Sequence, residues 1–286
     1  MKLNKNANTN ILIVGLGLLG GSYAMALKKK GYHVEAITLE QSSIDYALEN
    51  GLIDAGSTKV EAEMLQRAEL IVFALYPHVF LEWIRENQSL FRSGTIITDV
   101  TGVKSSVVYE IQQLLREDVE FIAAHPMAGR EVSGVKNSDA RIFEGANYIV
   151  VPTEKNTPEA IALCEELGHE LGFQNISRLS PEMHDEMIAY LSQLTHCIAV
   201  TLMCCHDNEH LVRYTGDSFR DLTRIAKIND AMWSELFLMN KEELLAQMDL
   251  FMDKFRELRD ALEKNDTEGM REMMRLSTAR RKLFDK

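Results

Sequence analysis

Ile11-Leu12-Ile13-Val14-Gly15-Leu16-Gly17-Leu18-Leu19-Gly20-Gly21-Ser22 is a short β-branched run that meets glycines at G-x-G-x-x-G spacing and passes into a helical stretch over residues 23–30. Strand, glycine loop and helix in that order form a dinucleotide-binding turn. Gly15 allows the tight turn, Gly17 lets backbone approach a pyrophosphate, and Gly20 lets helix and strand pack closely. Leu18 and Leu19 open the helix whose free N–H groups would face phosphate, which adds them to the cofactor-binding set.

Outward from this turn, short apolar runs at residues 33–38, 69–75, 95–100, 120–124 and 148–151 alternate with helical patterns. Such a βαβ rhythm predicts a Rossmann-like, doubly wound parallel sheet, because parallel neighbours need crossovers of about a dozen residues. Asn50-Gly51 reads as a helix stop, and Thr157-Pro158-Glu159 as a cap followed by proline at the first helical position. After residues 173–179 the texture becomes all helical: a long apolar helix over residues 181–206, a middle section over 217–228, and Met- and Leu-rich amphipathic stretches from 230 on. We therefore expect a dinucleotide-binding domain over 1–179 and an all-α substrate and dimerisation domain over 180–286. So many Leu and Met positions on amphipathic helices point to a homodimer.

The chain has 286 residues, 46% of them hydrophobic, and a net charge of -12. That is enough for two cores, and the acidic field argues against nucleic acid or an anionic membrane as partner. A small acidic substrate would need a locally basic pocket. The polar N-terminus and the short apolar run at residues 11–14 leave no signal peptide or membrane span there. Cys164, Cys197, Cys204 and Cys205 lack framework spacing, and a cytoplasmic location is expected. Cys204, Cys205, His206 and His210 invite a metal reading, but adjacent cysteines point to different helix faces, so no metal is expected.

The second strand should end in an acid that grips the ribose of NAD. Thr38 holds that place with Glu40 two residues on, and no Arg or Lys is close enough in sequence to meet a 2′-phosphate, which favours NAD over NADP. Glu40 reads equally as a solvated charge at a helix start. His125-Pro126-Met127-Ala128-Gly129-Arg130-Glu131 places an imidazole at a strand's carboxyl end, above a turn with little side-chain bulk. There Arg130 would face an anion and Glu131 would orient a donor. In the helical part Arg220 and Arg224 share a face, and Asp221, three before Arg224, is spaced to hold its guanidinium while the outer fork takes a carboxylate. An ordinary surface ion pair fits that spacing equally.

Taken together these residues resemble the prephenate dehydrogenase family, the TyrA-type enzymes of tyrosine biosynthesis. The resemblance spans nearly the whole chain: the glycine loop, Asp99 with Lys104, the His125 turn, Ser133-Gly134-Val135, His184-Asp185, Ser192-Gln193-Leu194-Thr195-His196, residues 219–226, and Met232-Trp233. It implies NAD-dependent oxidative decarboxylation of prephenate to 4-hydroxyphenylpyruvate, with His125 as proton acceptor and no metal. It further implies that Arg224 binds a substrate carboxylate, His196 lines the pocket, Glu131 tunes access, and Trp233 and Asp221 support that wall. The family commonly carries a serine where Gly102 stands, and Thr101 or Ser105 is expected to substitute for it, placing Thr101 and Gly102 beside the cofactor. Gln193 and Thr195 replace a histidine and a proline of the family's paired-histidine motif, and Arg130 stands where a small hydroxyl residue is often found. The alternatives are an arogenate or dual cyclohexadienyl dehydrogenase, a 3-hydroxyacid or imine reductase on the same fold, and a non-catalytic NAD-sensing regulator. The chain ends soon after the helical part, so no appended ACT regulatory domain is expected.

Overall fold

The computed structural model describes residue 3 and residues 9–285. The first half runs β1 (Asn10–Val14), α1 (Leu18–Lys29), β2 (His33–Ile37), α2 (Gln41–Glu49), β3 (Ala55–Ser57), α3 (Ala62–Arg67), β4 (Leu70–Phe73), α4 (Pro77–Asn87), β5 (Ile96–Asp99), α5 (Ser105–Leu114) and β6 (Glu120–Phe121). These six strands form one parallel sheet in the order β3-β2-β1-β4-β5-β6. The order reverses between β1 and β4, so a crevice opens there at the carboxyl ends of the strands. All four residues of β4 and of β5 are buried, as befits strands covered on both faces. On one face Phe73, Phe80 and Phe121 pack ring against ring, with centroids 4.5 and 5.6 Å apart. Each buried side chain of this kind contributes about 1.5–3 kcal/mol.

The chain then departs from the expected single sheet. Residues 120–124 do not make one strand: β6 closes the parallel sheet, and β7 (Ala123–Pro126) starts a second one with β8 (Asn147–Val151) and β9 (Asn175–Arg178). β7 and β8 run antiparallel, His125 opposite Ile149, while β8 and β9 run parallel around α6 (Pro158–Leu171). Local periodicity carries no information on strand direction, and β3, three residues long, was too short to register as a pattern. The stop and cap signals hold. Gly51 follows α2 at φ +65°, and the Thr157 hydroxyl accepts from the Ala160 N–H at 3.2 Å.

The rest is helical: α7 (Pro181–Ile188), α8 (Leu194–Cys204), α9 (Asp217–Thr223), α10 (Asp230–Met239), α11 (Lys241–Glu263) and α12 (Thr267–Arg281). α7 and α8 form the expected long helix, but a π-helical segment, Ala189–Gln193, joins them. Such segments collect at functional sites. Residues 181–204 are long and apolar enough to cross a membrane. Yet they carry His184, Asp185 and Gln193, all buried and all hydrogen-bonded within the protein.

Candidate active site

The glycine loop has the shape its sequence requires. Gly15 sits at φ +99°, where a Cβ would lie 2.5 Å from the Ala74 carbonyl oxygen, and a Cβ on Gly20 would lie 1.9 Å from the Gly15 oxygen. Around Gly17 a Cβ would meet nothing within 4 Å, and no side chain caps α1. Open space before uncapped helical N–H groups, at Leu18 and Leu19, suits a phosphate. The Thr38 hydroxyl accepts from the Leu16 N–H at 3.3 Å, so it braces the loop. Glu40 is exposed at the start of α2 and accepts from the Ser43 hydroxyl at 3.1 Å.

His125 is anchored from below by a buried ion pair. Lys104 Nζ lies 2.6 Å from Asp99 Oδ2, with both side chains fully buried. Asp99 Oδ1 accepts from the Ala124 N–H at 3.1 Å, and Lys104 Nζ donates to the Ala124 carbonyl at 2.7 Å. The pair therefore holds both backbone groups of the residue before His125. Burial depresses the Lys104 ammonium's pKa, and the Asp99 carboxylate opposes that shift.

A second chain of contacts fixes the imidazole itself. Asp185 accepts from the Lys104 and Ser105 N–H groups at 2.8 and 2.7 Å, at the N-terminus of α5. Its Oδ1 lies 2.7 Å from His184 Nδ1, and His184 Nε2 lies 2.8 Å from His125 Nδ1. Burial resists the Asp185 charge, but the bonds from His184 and Ser105 outweigh it, and its pKa falls below the usual range. An ionised Asp185 makes His184 carry its proton on Nδ1. Neutral His184 then offers only a lone pair at Nε2, so His125 must donate from Nδ1. The lone pair on His125 Nε2 is left for a ligand. His125 keeps part of its surface open, yet burial first, then the neighbouring His184 and Lys104, hold its pKa well below 6.5. The imidazole is neutral and of one tautomer.

The other wall is more open. His196 donates from Nδ1 to the Ser192 carbonyl at 2.9 Å and stacks on Trp233, ring centroids 3.8 Å apart. Burial lowers its pKa, so it too is neutral. Arg224 Nη1 meets Glu131 Oε1 at 2.7 Å, with the arginine side chain 66% exposed. α10 joins the two walls: Trp233 is on one, and Leu236, one turn on, flanks Gly102, where a Cβ would lie 3.7 Å from Leu236 and 3.9 Å from His125 Cε1.

Three expectations are corrected. Asp221 makes no ion pair with Arg224 among the described residues; the backbone leaves helical geometry at Thr223 (φ −100°, ψ −1°), between the two, and the partner is Glu131. Arg130 meets an acid of its own loop, Asp139, at 3.9 Å, and makes no ion pair with another acid among the described residues. Neither Thr101 nor Ser105 replaces a hydroxyl beside His125. Thr101 Oγ1 bonds the Asp99 carboxylate and the Val103 carbonyl, and the Ser105 side chain bonds Asp185. Conversely, the sequence shows His184-Asp185 but not its role; an adjacent His-Asp pair at the start of the long helix was the available signal. Among the described residues no group of three His, Cys, Asp or Glu is placed to hold a metal ion.

Comparison with known proteins meets this geometry at both halves. Residues 23–176 match the family model for the nucleotide-binding domain of prephenate dehydrogenase, and residues 180–276 match that for its dimerization domain. The chain is 32% identical to prephenate dehydrogenase of Bacillus subtilis, over 91% of this chain and 72% of that one. It is 28% identical to cyclohexadienyl dehydrogenase of Zymomonas mobilis, over 90% and 89%. A crystal structure of Aquifex aeolicus prephenate dehydrogenase with hydroxyphenyl propionate and NAD+ superposes with a TM-score of 0.88 at 29% identity, covering 97% of this chain and 98% of that one. With a glycine loop, a tautomer-fixed histidine and an arginine wall in one crevice, and both halves matched, the chain belongs to the prephenate dehydrogenase family.

Proposed function

We infer that this chain is an NAD-dependent prephenate dehydrogenase of tyrosine biosynthesis, and the single observation that carries the mechanism is the His125–His184–Asp185 series. Gly15, Gly17, Leu18, Leu19 and Gly20 form the phosphate cradle, Thr38 and Glu40 lie toward the ribose, and the backbone of Thr101 and Gly102 borders the crevice. NAD bound there supplies the hydride acceptor. His125 Nε2 accepts the ring hydroxyl of prephenate and takes its proton as the hydride leaves the same carbon. The ring carboxylate departs as carbon dioxide, and its bonding electrons complete the aromatic ring. The proton then returns to the oxygen, giving 4-hydroxyphenylpyruvate. Aromatisation supplies the driving force, so the protein's task is alignment and a fixed base.

Arg224 takes a substrate carboxylate in exchange for Glu131, with His196 and Trp233 as the wall behind it. Glu131 beside Arg224 favours arogenate as a second substrate, because an acid there meets an amino group while the arginine keeps the carboxylate. The domains divide near residue 180. Two copies pair through the helical part: α11 buries only Leu244 and α12 buries no residue, while Phe255, Leu262 and Met274 stand exposed. Free cysteines, two of them exposed, support a reducing cytoplasm. The test is NADH formation from NAD with prephenate, and separately with arogenate. No NADH from either would overturn the reading.

A further inference from the structure

α10 is gripped from outside the reacting centre. Tyr76 and His78 flank Pro77, the first residue of α4, at the carboxyl end of β4, and α4 has no side-chain cap of its own. Glu235, on α10, fills that role from 157 residues away: Oε1 accepts from the His78 N–H at 2.8 Å, and Oε2 lies 2.8 Å from His78 Nδ1. One carboxylate thus takes a free helix-terminal amide and an imidazole together. Asn229, the cap of α10, donates to the Tyr76 hydroxyl at 3.2 Å. The Glu235 side chain is 18% exposed, so solvent competes with it only weakly.

The two ends of α10 are held differently. Toward its C-terminus, the Leu236 carbonyl accepts from Gln193 and Asn240 bonds Gln193, both buried. Toward its N-terminus, where Trp233 stacks on His196, Met232 and Trp233 pack on the apolar core of the nucleotide-binding half, and the polar ties across to it among the described residues are those from Tyr76 and His78. The same β4–α4 loop touches the phosphate loop, since a Cβ on Gly15 would meet Ala74 and Leu75.

We propose that Glu235 is a positioning residue: by clasping the α4 N-terminus and His78 it fixes the front of α10, and so sets Trp233 against the substrate wall. This rests on the dehydrogenase reading of the site. The test compares Glu235→Gln, Glu235→Asp, His78→Ala and the Glu235→Gln/His78→Ala pair in the full chain. The readouts are prephenate KM and kcat, NADH dissociation constant, thermal midpoint, and acrylamide quenching of Trp233 in a Trp83→Phe background. Glu235→Gln is expected to raise prephenate KM about five- to twentyfold, the span of a modest coupling energy. Meanwhile kcat should stay within about threefold, NADH affinity should hold, and Trp233 should be quenched more readily, as a broken positional tie requires. The double variant should be no worse than Glu235→Gln alone, and Glu235→Asp should recover most of the loss. An unchanged KM overturns the proposal, as does a loss of KM, kcat and NADH affinity in step with the thermal midpoint. If the parent protein does not oxidise prephenate, the dehydrogenase reading falls, and quenching decides alone: equal quenching in parent and Glu235→Gln refutes positioning.

Discussion

The two walls of the crevice are built on opposite plans. Around His125 the supporting groups Asp99, Lys104, His184 and Asp185 are buried, and their polar atoms are bound to one another or to backbone. Around Arg224 the guanidinium's side chain is largely exposed, and its acid partner among the described residues, Glu131, comes from a loop. A group that must present one lone pair in one direction needs partners that cannot exchange. A group proposed to take up and release an anion needs a partner that can.

The largest expected effect breaks the first wall at its end. His125→Asn removes the proposed proton acceptor, and turnover should fall about 10³–10⁴-fold, near the upper range for general base catalysis. NADH binding, followed by fluorescence, should remain. Asp185→Asn leaves His125 in place but removes the charge that selects the tautomer. NADH formation should drop about 10²–10³-fold, and a chemical melt should show a loss of about 2–3 kcal/mol from the weakened bonds to two backbone N–H groups. Unchanged turnover in that variant would sink the tautomer argument.

On the open wall the same kind of change should separate differently. Arg224→Ala should raise prephenate KM about 10–100-fold, the worth of a charge-assisted carboxylate bond. It should cost less than about 1 kcal/mol of stability, because the pair it breaks is exposed. Should the melt move more than the KM, the contrast between the walls is wrong.

How far this contrast was legible beforehand follows from the range of the interactions. The β1–α1 turn announces itself because strand period, glycine spacing and helix start lie within twelve consecutive residues. Position and residue type single out His125 and Arg224 in the sequence. Their partners were not found. Arg224 pairs with a residue 93 positions away, not with its helical neighbour Asp221, and His184 reaches His125 across 59 positions. The antiparallel β7–β8 pairing was hidden for the same reason: strand direction is set by pairing across the fold, not by local period.

pH offers a gentler probe of the buried wall. His125 and His184 both have folded pKa values below 6.5, so the unfolded chain takes up protons that the folded chain refuses. Their contribution to stability is complete above about pH 6.5 and declines as pH falls beneath it, by up to about 1.4 kcal/mol per pH unit for each group. The acid limb of kcat/KM should likewise lie below 6.5, since it reports the base in the free enzyme. His184→Asn removes a second imidazole whose own protonation in acid opposes that of His125, and should move that limb upward.

The smallest effect belongs to Gly102, and its smallness is informative. Its backbone is not in the left-handed region, and a Cβ would make only ordinary contacts, at 3.7 Å or more, with Leu236 and His125. Neither conformation nor space demands glycine here. Gly102→Ser should therefore shift stability by less than about 0.5 kcal/mol, within the range of a substitution that disturbs no special feature. If His184 alone fixes the His125 tautomer, a hydroxyl at residue 102 has no orienting task left, and turnover should change by less than about tenfold, well under the loss expected for Asp185→Asn. A much larger gain would mean that the His184 contact holds the base incompletely. The buried wall would then share its orienting role with the cleft side, and the division drawn between the two walls would fail at that residue.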